Sequence, residues 1–171
     1  LYKQDEGQIL LNGKEADIHG PTYAIKLGIG MVHQHFMLIP VMTVAENIIL
    51  GTEIVKNGIV LDLITAGQRI RNLSNQYGLE VDPDAFIKDL PVGTQQRVEI
   101  VKALYREADI LILDEPTAAL TSKEVKALFS IINRLKKENV SMVYISHRLE
   151  EVFEIADRVT VIRDGAYVQT A

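Results

Sequence analysis

The residues best placed to do chemistry follow Ile110-Leu111-Ile112-Leu113, where Asp114 and Glu115 stand side by side before Pro116 and Thr117. A short continuous apolar run suits a strand buried in a parallel sheet. Pro116 ends it, since proline has no N–H for the ladder and restricts the residue before it. The two acids are thereby left at the carboxyl end of a central strand, where open α/β sheets place their ligands. Buried carboxylates without partners are costly, so the pair calls for a cation or a reaction. The plainer alternative is a strand that stops at a charged loop.

Three further groups invite the same question. In Leu90-Pro91-Val92-Gly93-Thr94-Gln95-Gln96 a glycine stands just before a Thr-led helix, where free N–H groups and the positive dipole end suit a phosphate. An ordinary capped helix with an exposed glutamine pair fits that stretch equally well. Gln34, between His33 and His35, sits where a strand runs out; alone, the trio reads as a polar loop. His147 follows the apolar run Val140 to Ile145 and Ser146. Strand ends of a parallel sheet converge, so His147 is expected near Asp114 and Glu115. The Gly28-Ile29-Gly30 triplet lacks the third glycine and phosphate-facing helix of a dinucleotide fingerprint, and no nucleotide role is assigned to it.

The elements that must hold these residues are legible from period and punctuation. Asn12-Gly13 predicts a tight hairpin turn, as Asp5-Glu6-Gly7 does a turn before it. Pro21 to Leu27 predicts a short helix, and Gly28 to His33 a strand. Thr43 with Glu46, and Thr121 with Glu124, are capping boxes that open helices; the first should stop at Gly51. Ile70, Leu73 and Tyr77 mark a helix ended by Gly78, in a small helical insertion over residues 52–90. Val98, Val101, Leu104 and Tyr105 form the inward stripe of the helix after Gly93. Val125, Leu128, Phe129, Ile132 and Leu135 do the same for the helix after Thr121. Leu149, Val152, Phe153 and Ala156 predict a short amphipathic helix, and Arg158 to Arg163 a last strand turned by Asp164-Gly165. Strand, helix, strand, helix, strand with short joins calls for a parallel sheet with right-handed crossovers.

Bulk composition sets the limits. The 171 residues suit one domain, and 47% hydrophobic with 24% charged residues is the balance of a soluble globular chain. The net charge of −5 disfavours nucleic acid as a partner. Without cysteine there are no disulfides or thiolate metal sites. No apolar stretch reaches the ~20 residues that span a bilayer, and the start has no signal-peptide layout.

Taken together, these motifs make the chain resemble the ATP-binding subunit of an ABC transporter over essentially its whole length. Gln34 resembles the Q-loop glutamine, Leu90 to Gln96 the signature loop, Ile110 to Glu115 the Walker B strand with its glutamate, and His147 the switch histidine. Val32 to Leu38, Thr43 to Asn47 and Pro116 to Thr121 resemble the tandem ATPases of sugar and nucleoside importers, most of all their N-terminal half, with nucleoside importers the closer likeness.

The resemblance implies an α/β, P-loop NTPase (ABC ATPase) core: a mostly parallel sheet with helices on both faces. Residues 1–51 would be partial core, 52–93 a helical subdomain and 94–171 core. It implies ATP and Mg²⁺ as cofactors, Asp114 and Gln34 at the metal, Glu115 on the attacking water and His147 on the γ-phosphate. Pro91, Val92, Gly93, Thr94, Gln95 and Gln96 would serve the ATP of an opposite ATPase unit. Transmembrane permease subunits, a second ATPase unit and, indirectly, a solute-binding protein are the implied partners, at the cytoplasmic face of the cell membrane.

Three departures stand out. No GxxxxGK[ST] occurs; Leu1-Tyr2-Lys3 resembles the segment just past the P-loop helix. That loop, its strand and the adenine-stacking aromatic are therefore expected upstream. The 171 residues alone are expected to hydrolyse essentially no ATP and to expose strand edges. Pro91 stands where the family usually has Ser, and Thr121 where it has Asp. A non-transport ABC ATPase of DNA repair or translation, and a non-catalytic interaction domain, are the competing readings. A compact stretch from Gln34 to Gly93 without heptads speaks against the first, and intact Gln34, Asp114, Glu115 and His147 against the second.

Overall fold

The computed structural model describes residues 6–52, 55–56 and 60–171. Leu1-Tyr2-Lys3, and Asp5 of the first expected turn, lie outside the described residues. The chain opens with a hairpin of β1 (Leu10–Leu11) and β2 (Lys14–Glu15). Its turn is Asn12-Gly13, both at positive φ, the backbone a two-residue loop requires. Helix α1 (Pro21–Lys26) starts on proline, whose fixed φ suits a first helical position. Strand β3 (Ile29–Val32) follows, then α2 (Val44–Ile49). Thr43 and Glu46 close the expected capping box at the head of α2, and Gly51 lies just past its end.

The stretch after α2 carries a feature its sequence pattern did not suggest: a short hairpin of β4 (Val55–Lys56) and β5 (Val60–Leu61) precedes the next helix. Helix α3 (Leu63–Tyr77) is capped by Asp62 and ends on Gly78 in the left-handed conformation. After one 3₁₀ turn at Ile87–Asp89 comes α4 (Val92–Tyr105). The remainder is β6 (Ile110–Asp114), α5 (Ser122–Lys137), β7 (Ser141–Ile145), α6 (Leu149–Ile155), β8 (Thr160–Arg163) and β9 (Ala166–Thr170).

Three strands form a parallel sheet in the order β3-β6-β7, so β6 is central. Strand register sorts its side chains into two faces. Gly30, Leu111 and Met142, then Val32, Leu113 and Tyr144, lie in rows on one face. Leu111 and Leu113 are fully enclosed there, joined by Val98, Val101 and Leu104 of α4 and Leu128, Phe129 and Leu135 of α5. Phe129 meets Tyr144 edge to face. Each such aliphatic side chain removed from water contributes about 1.5–3 kcal/mol. On the other face Met31, Ile112 and Val143 form a row in which Val143 is 50% exposed. Among the described residues the two faces are thus unequally covered.

Two expectations are corrected. The last strand does not extend the parallel sheet: among the described residues β8 pairs only with β9, antiparallel, through the Asp164-Gly165 turn. That turn folds the chain straight back, and a hairpin satisfies its own ladder without a crossover. Helix α6 is amphipathic, but not on the expected stripe. Leu149 and Phe153 are 66% and 78% exposed, while Glu151 and Ile155 are buried. A hydrogen-bonded carboxylate, not an apolar pair, decides which side faces in.

Candidate functional site

Asp114 is the last residue of β6, opposite Ile145 of β7, and by strand parity it belongs to the less covered face. Glu115 then turns the chain: its φ is +44, in the left-handed region, and its N–H donates to the Ile145 carbonyl at 3.0 Å. A non-glycine residue in that region costs on the order of 1–3 kcal/mol, a strain typical of functional turns. The same turn aims the side chain across to the loop beyond β7. There Glu115 Oε1 lies 2.9 Å from His147 Nδ1. The expected convergence of the two strand ends therefore occurs. An ionised carboxylate can only accept, so in that state Nδ1 is the donor and Nε2 is left facing outward. The imidazole itself is largely exposed, whereas Glu115 is more enclosed.

The pair borders a cavity of about 140 Å³ lined by Glu115, Thr117, Ala118, Ser146, His147 and Arg148. Beneath it sits Glu151, 7% exposed. Thr117 Oγ1 donates to Glu151 Oε2 at 2.7 Å, the Tyr144 hydroxyl to the same oxygen at 2.8 Å, and Arg148 Nη1 to Oε1 at 2.8 Å. Burial works against the Glu151 anion, but hydrogen bonds from Thr117, Arg148 and Tyr144 prevail and hold its carboxyl below the usual range. Burial pushes the Tyr144 hydroxyl up, and its bond to Glu151 adds to that. Sequence reasoning missed Glu151. Its signal was a Glu four residues after His147 and three after Arg148, on the first turn of the helix that follows the histidine.

Gln34 is exposed, two residues beyond Val32, whose partner in the sheet is Leu113. Register thus sets it at the same end of the sheet as Asp114. The loop after it is fixed by two buried polar residues that sequence reasoning also missed. The Met37 N–H donates to Glu99 Oε1 at 2.7 Å, and the Ile39 N–H to Asn47 Oδ1 at 2.7 Å. His33 and His35 are exposed, as a polar loop requires.

The segment from Pro91 to Gln96 differs from expectation by part of a turn. Helix α4 begins at Val92 with Pro91 as its N-cap, so Gly93 and Thr94 lie inside the first turn rather than ahead of it. Pro91 offers no side-chain cap. Glu124 takes that part instead: its carboxylate lies against Gly93, where any added Cβ would meet Oε1 at 2.5 Å. Hydrogen bonds from the Thr121 backbone and hydroxyl, and from the Gly93 N–H, hold the Glu124 carboxyl low. The glutamine pair is not simply exposed. Gln95 donates to the Leu90 carbonyl at 2.9 Å, and Gln96 is 3% exposed with its Nε2 unpartnered. Gly93 and Gln96 border a cavity of about 520 Å³ shared with α5.

For a metal, the candidate donors are the Asp114 carboxylate and the Gln34 amide oxygen. No cluster of three His, Cys, Asp or Glu occurs among the described residues. A hard cation that keeps its waters, and takes one or two carboxylates plus phosphate oxygens, fits such a sparse oxygen set.

The central strand of the parallel sheet thus ends in two acids, and a histidine loop from the next strand closes on the second. Residues 1–118 match the ABC transporter family, and the chain belongs to it. It is 55% identical over 170 residues to the nucleoside import ATP-binding protein NupA of Lactococcus lactis subsp. cremoris, covering 99% of this chain and 33% of that one. It is 46% identical to the glucose import ATP-binding protein TsgD13 of Haloferax volcanii, covering 99% of this chain and 36% of that one. The chain spans about a third of the length of the curated relatives it matches. Among solved structures it superposes on cbiO1 from Clostridium perfringens, part of the transporter complex cbiONQ. The TM-score is 0.78 at 26% identity, over 97% of this chain and 66% of that one. The ADP conformation of the cassette MJ1267 gives a TM-score of 0.82 at 23% identity, over 97% and 69%, which shows the shared fold.

Proposed function

We propose that the chain is part of the ATP-hydrolysing subunit of an ABC importer for a nucleoside or a sugar. The observation that carries this is the 2.9 Å contact between His147 and Glu115 at the end of the central strand. The nucleoside, glucose and ribose import proteins it resembles support that solute class. In this proposal Asp114 and Gln34 hold Mg²⁺. That ion, when bound, draws negative charge off the β- and γ-phosphates.

Glu115 accepts a hydrogen bond from the attacking water and orients it in line with the γ-phosphate. His147, tied to Glu115 through Nδ1, presents Nε2 to a γ-phosphate oxygen. To donate from both nitrogens it must be the imidazolium, whose charge answers the one growing on the transferred phosphoryl group. Gly93 and the first turn of α4 face the nucleotide of a second ATPase unit, with Glu124 moving aside. Residues 52–93 serve as a helical subdomain between the two stretches of core.

The implied partners are transmembrane permease subunits, the second ATPase unit and, through them, a solute-binding protein. No helix among the described residues is long and apolar enough to cross a membrane. The proposed place is the cytoplasmic face of the cell membrane, held there through the permease. No observation favours the DNA-repair, translation or non-catalytic alternatives.

The test is ATP turnover by the assembled transporter. Glu115→Gln keeps the shape and removes the charge, so turnover falls by on the order of a hundredfold or more while nucleotide still binds. His147→Ala gives a loss of similar size. Unchanged turnover in Glu115→Gln would refute the proposal.

A further inference from the structure

Glu151 stands apart from the residues that the reaction uses, yet it touches both segments that carry them. Thr117, two residues after Glu115, is 1% exposed and gives its hydroxyl proton to Glu151 Oε2. On the other side of His147's loop, Arg148 donates to Oε1 at 2.8 Å, while the Ser146 hydroxyl reaches Oε2 at 3.5 Å and itself accepts the Arg148 N–H at 3.1 Å. Both chain neighbours of His147 are therefore held by one buried carboxylate, which also holds the turn that aims Glu115. Tyr144, on the strand between them, completes the set.

Removing one member of a buried, hydrogen-bonded charge network is costly, because its partners are left unpaired. Here the anion collects donors from three elements, and its removal would leave buried hydroxyls and a guanidinium without an acceptor. Thr117, Ser146 and Arg148 all line the cavity whose far wall is the Glu115–His147 pair. The carboxylate thus lies behind that lining and ties Thr117, Ser146 and Arg148 together.

We infer that Glu151 is a positioning residue that sets the separation of Glu115 and His147 by locking the turn at Thr117 to the loop from Ser146 to Arg148. It touches neither substrate nor metal. Its effect on turnover rests on the ATPase function proposed above; its effect on the pair's geometry does not.

The test uses the intact protein with ¹⁵N-labelled histidine, together with ATPase kinetics. Glu151→Gln puts an amide N–H₂ where a donor already points, and Thr117→Val removes one hydroxyl while keeping the shape. Thr117→Ser restores it. In Thr117→Val the His147 ring signal moves toward that of a free imidazole and kcat falls about tenfold, the scale of one buried hydrogen bond. KM for ATP stays near that of the unsubstituted protein while the melting temperature falls by the cost of that bond, and Thr117→Ser recovers the signal, kcat and the melting temperature. A Thr117→Val protein with an unmoved His147 signal would overturn the inference, whatever its turnover and even if Glu151→Gln fails to fold. A moved signal in a protein that hydrolyses no ATP in any form would uphold the lock and refute the ATPase function instead.

Discussion

Glu115 and Glu151 show how differently two carboxylates can be announced. Glu115 was legible because it ends an apolar strand beside a second acid and before a proline, and because a parallel sheet brings its strand ends together. Glu151 was not, because helical periodicity looks for apolar residues on the inward face, and here the inward residue is charged. Its depressed carboxyl gives a prediction for stability. A group whose folded pKa lies below its unfolded value adds stability that is present above the ordinary carboxylate range. That stability is lost as pH falls through that range toward the folded value. Melting temperature should therefore drop on acidification from neutral pH to about pH 3. Glu151→Gln should flatten the part of that slope that Glu151 supplies, with the neutral-pH value lowered most. Thermal melts across this window, on both proteins, measure it; Glu124, held low by Thr121 and Gly93, supplies a residual slope.

At the scale of elements, most helices and strands were readable from caps and punctuation, since Thr43, Thr121, Asn12-Gly13 and Gly78 each do what their local chemistry favours. The start of α4 was less so. A glycine before a threonine suggests a boundary, but Pro91 had already set extended backbone, and the helix opens behind it at Val92. Of the two glycines given no nucleotide role from sequence, Gly28 supplies a left-handed turn, with φ at +76, and Gly30 is a packing residue. A Cβ at Gly30 would meet the Cβ atoms of Ala103 and Ala108 at 2.9 Å each, neither of which can rotate away. Strand β3 lies that close to α4. Gly30→Ala should therefore push the strand off the helix and cost about 1–3 kcal/mol, as overpacked cores do. Urea unfolding gives the number. Gly165→Ala, where the added Cβ meets no neighbour but the backbone φ is positive, shows the cost of strain alone.

Over the whole molecule, the parallel sheet is closed on the side of α4 and α5 and half open on the other. Met31, Ile112 and Val143 line up across the three strands of the open side, and Ile145 extends it toward Asp114. Among the described residues β7 pairs on one edge only. An apolar face next to a strand edge favours pairing with another chain. Sedimentation should therefore show association that grows with protein concentration, and Val143→Lys should reduce it without lowering the melting temperature. Sequence reasoning anticipated exposed strand edges but placed β8 in this sheet, because alternating strands and helices imply crossovers and say nothing about a chain that simply doubles back.

The doubling back has a practical use. Nearly every side chain of β8 and β9 is exposed, and their ladder closes on itself from Thr160–Thr170 to the Asp164-Gly165 tip. A fluorophore or affinity tag inserted at that tip would sit on a self-contained loop, remote in sequence from Gln34, Asp114 and Glu115. It would offer a handle for following the molecule without touching the parallel sheet.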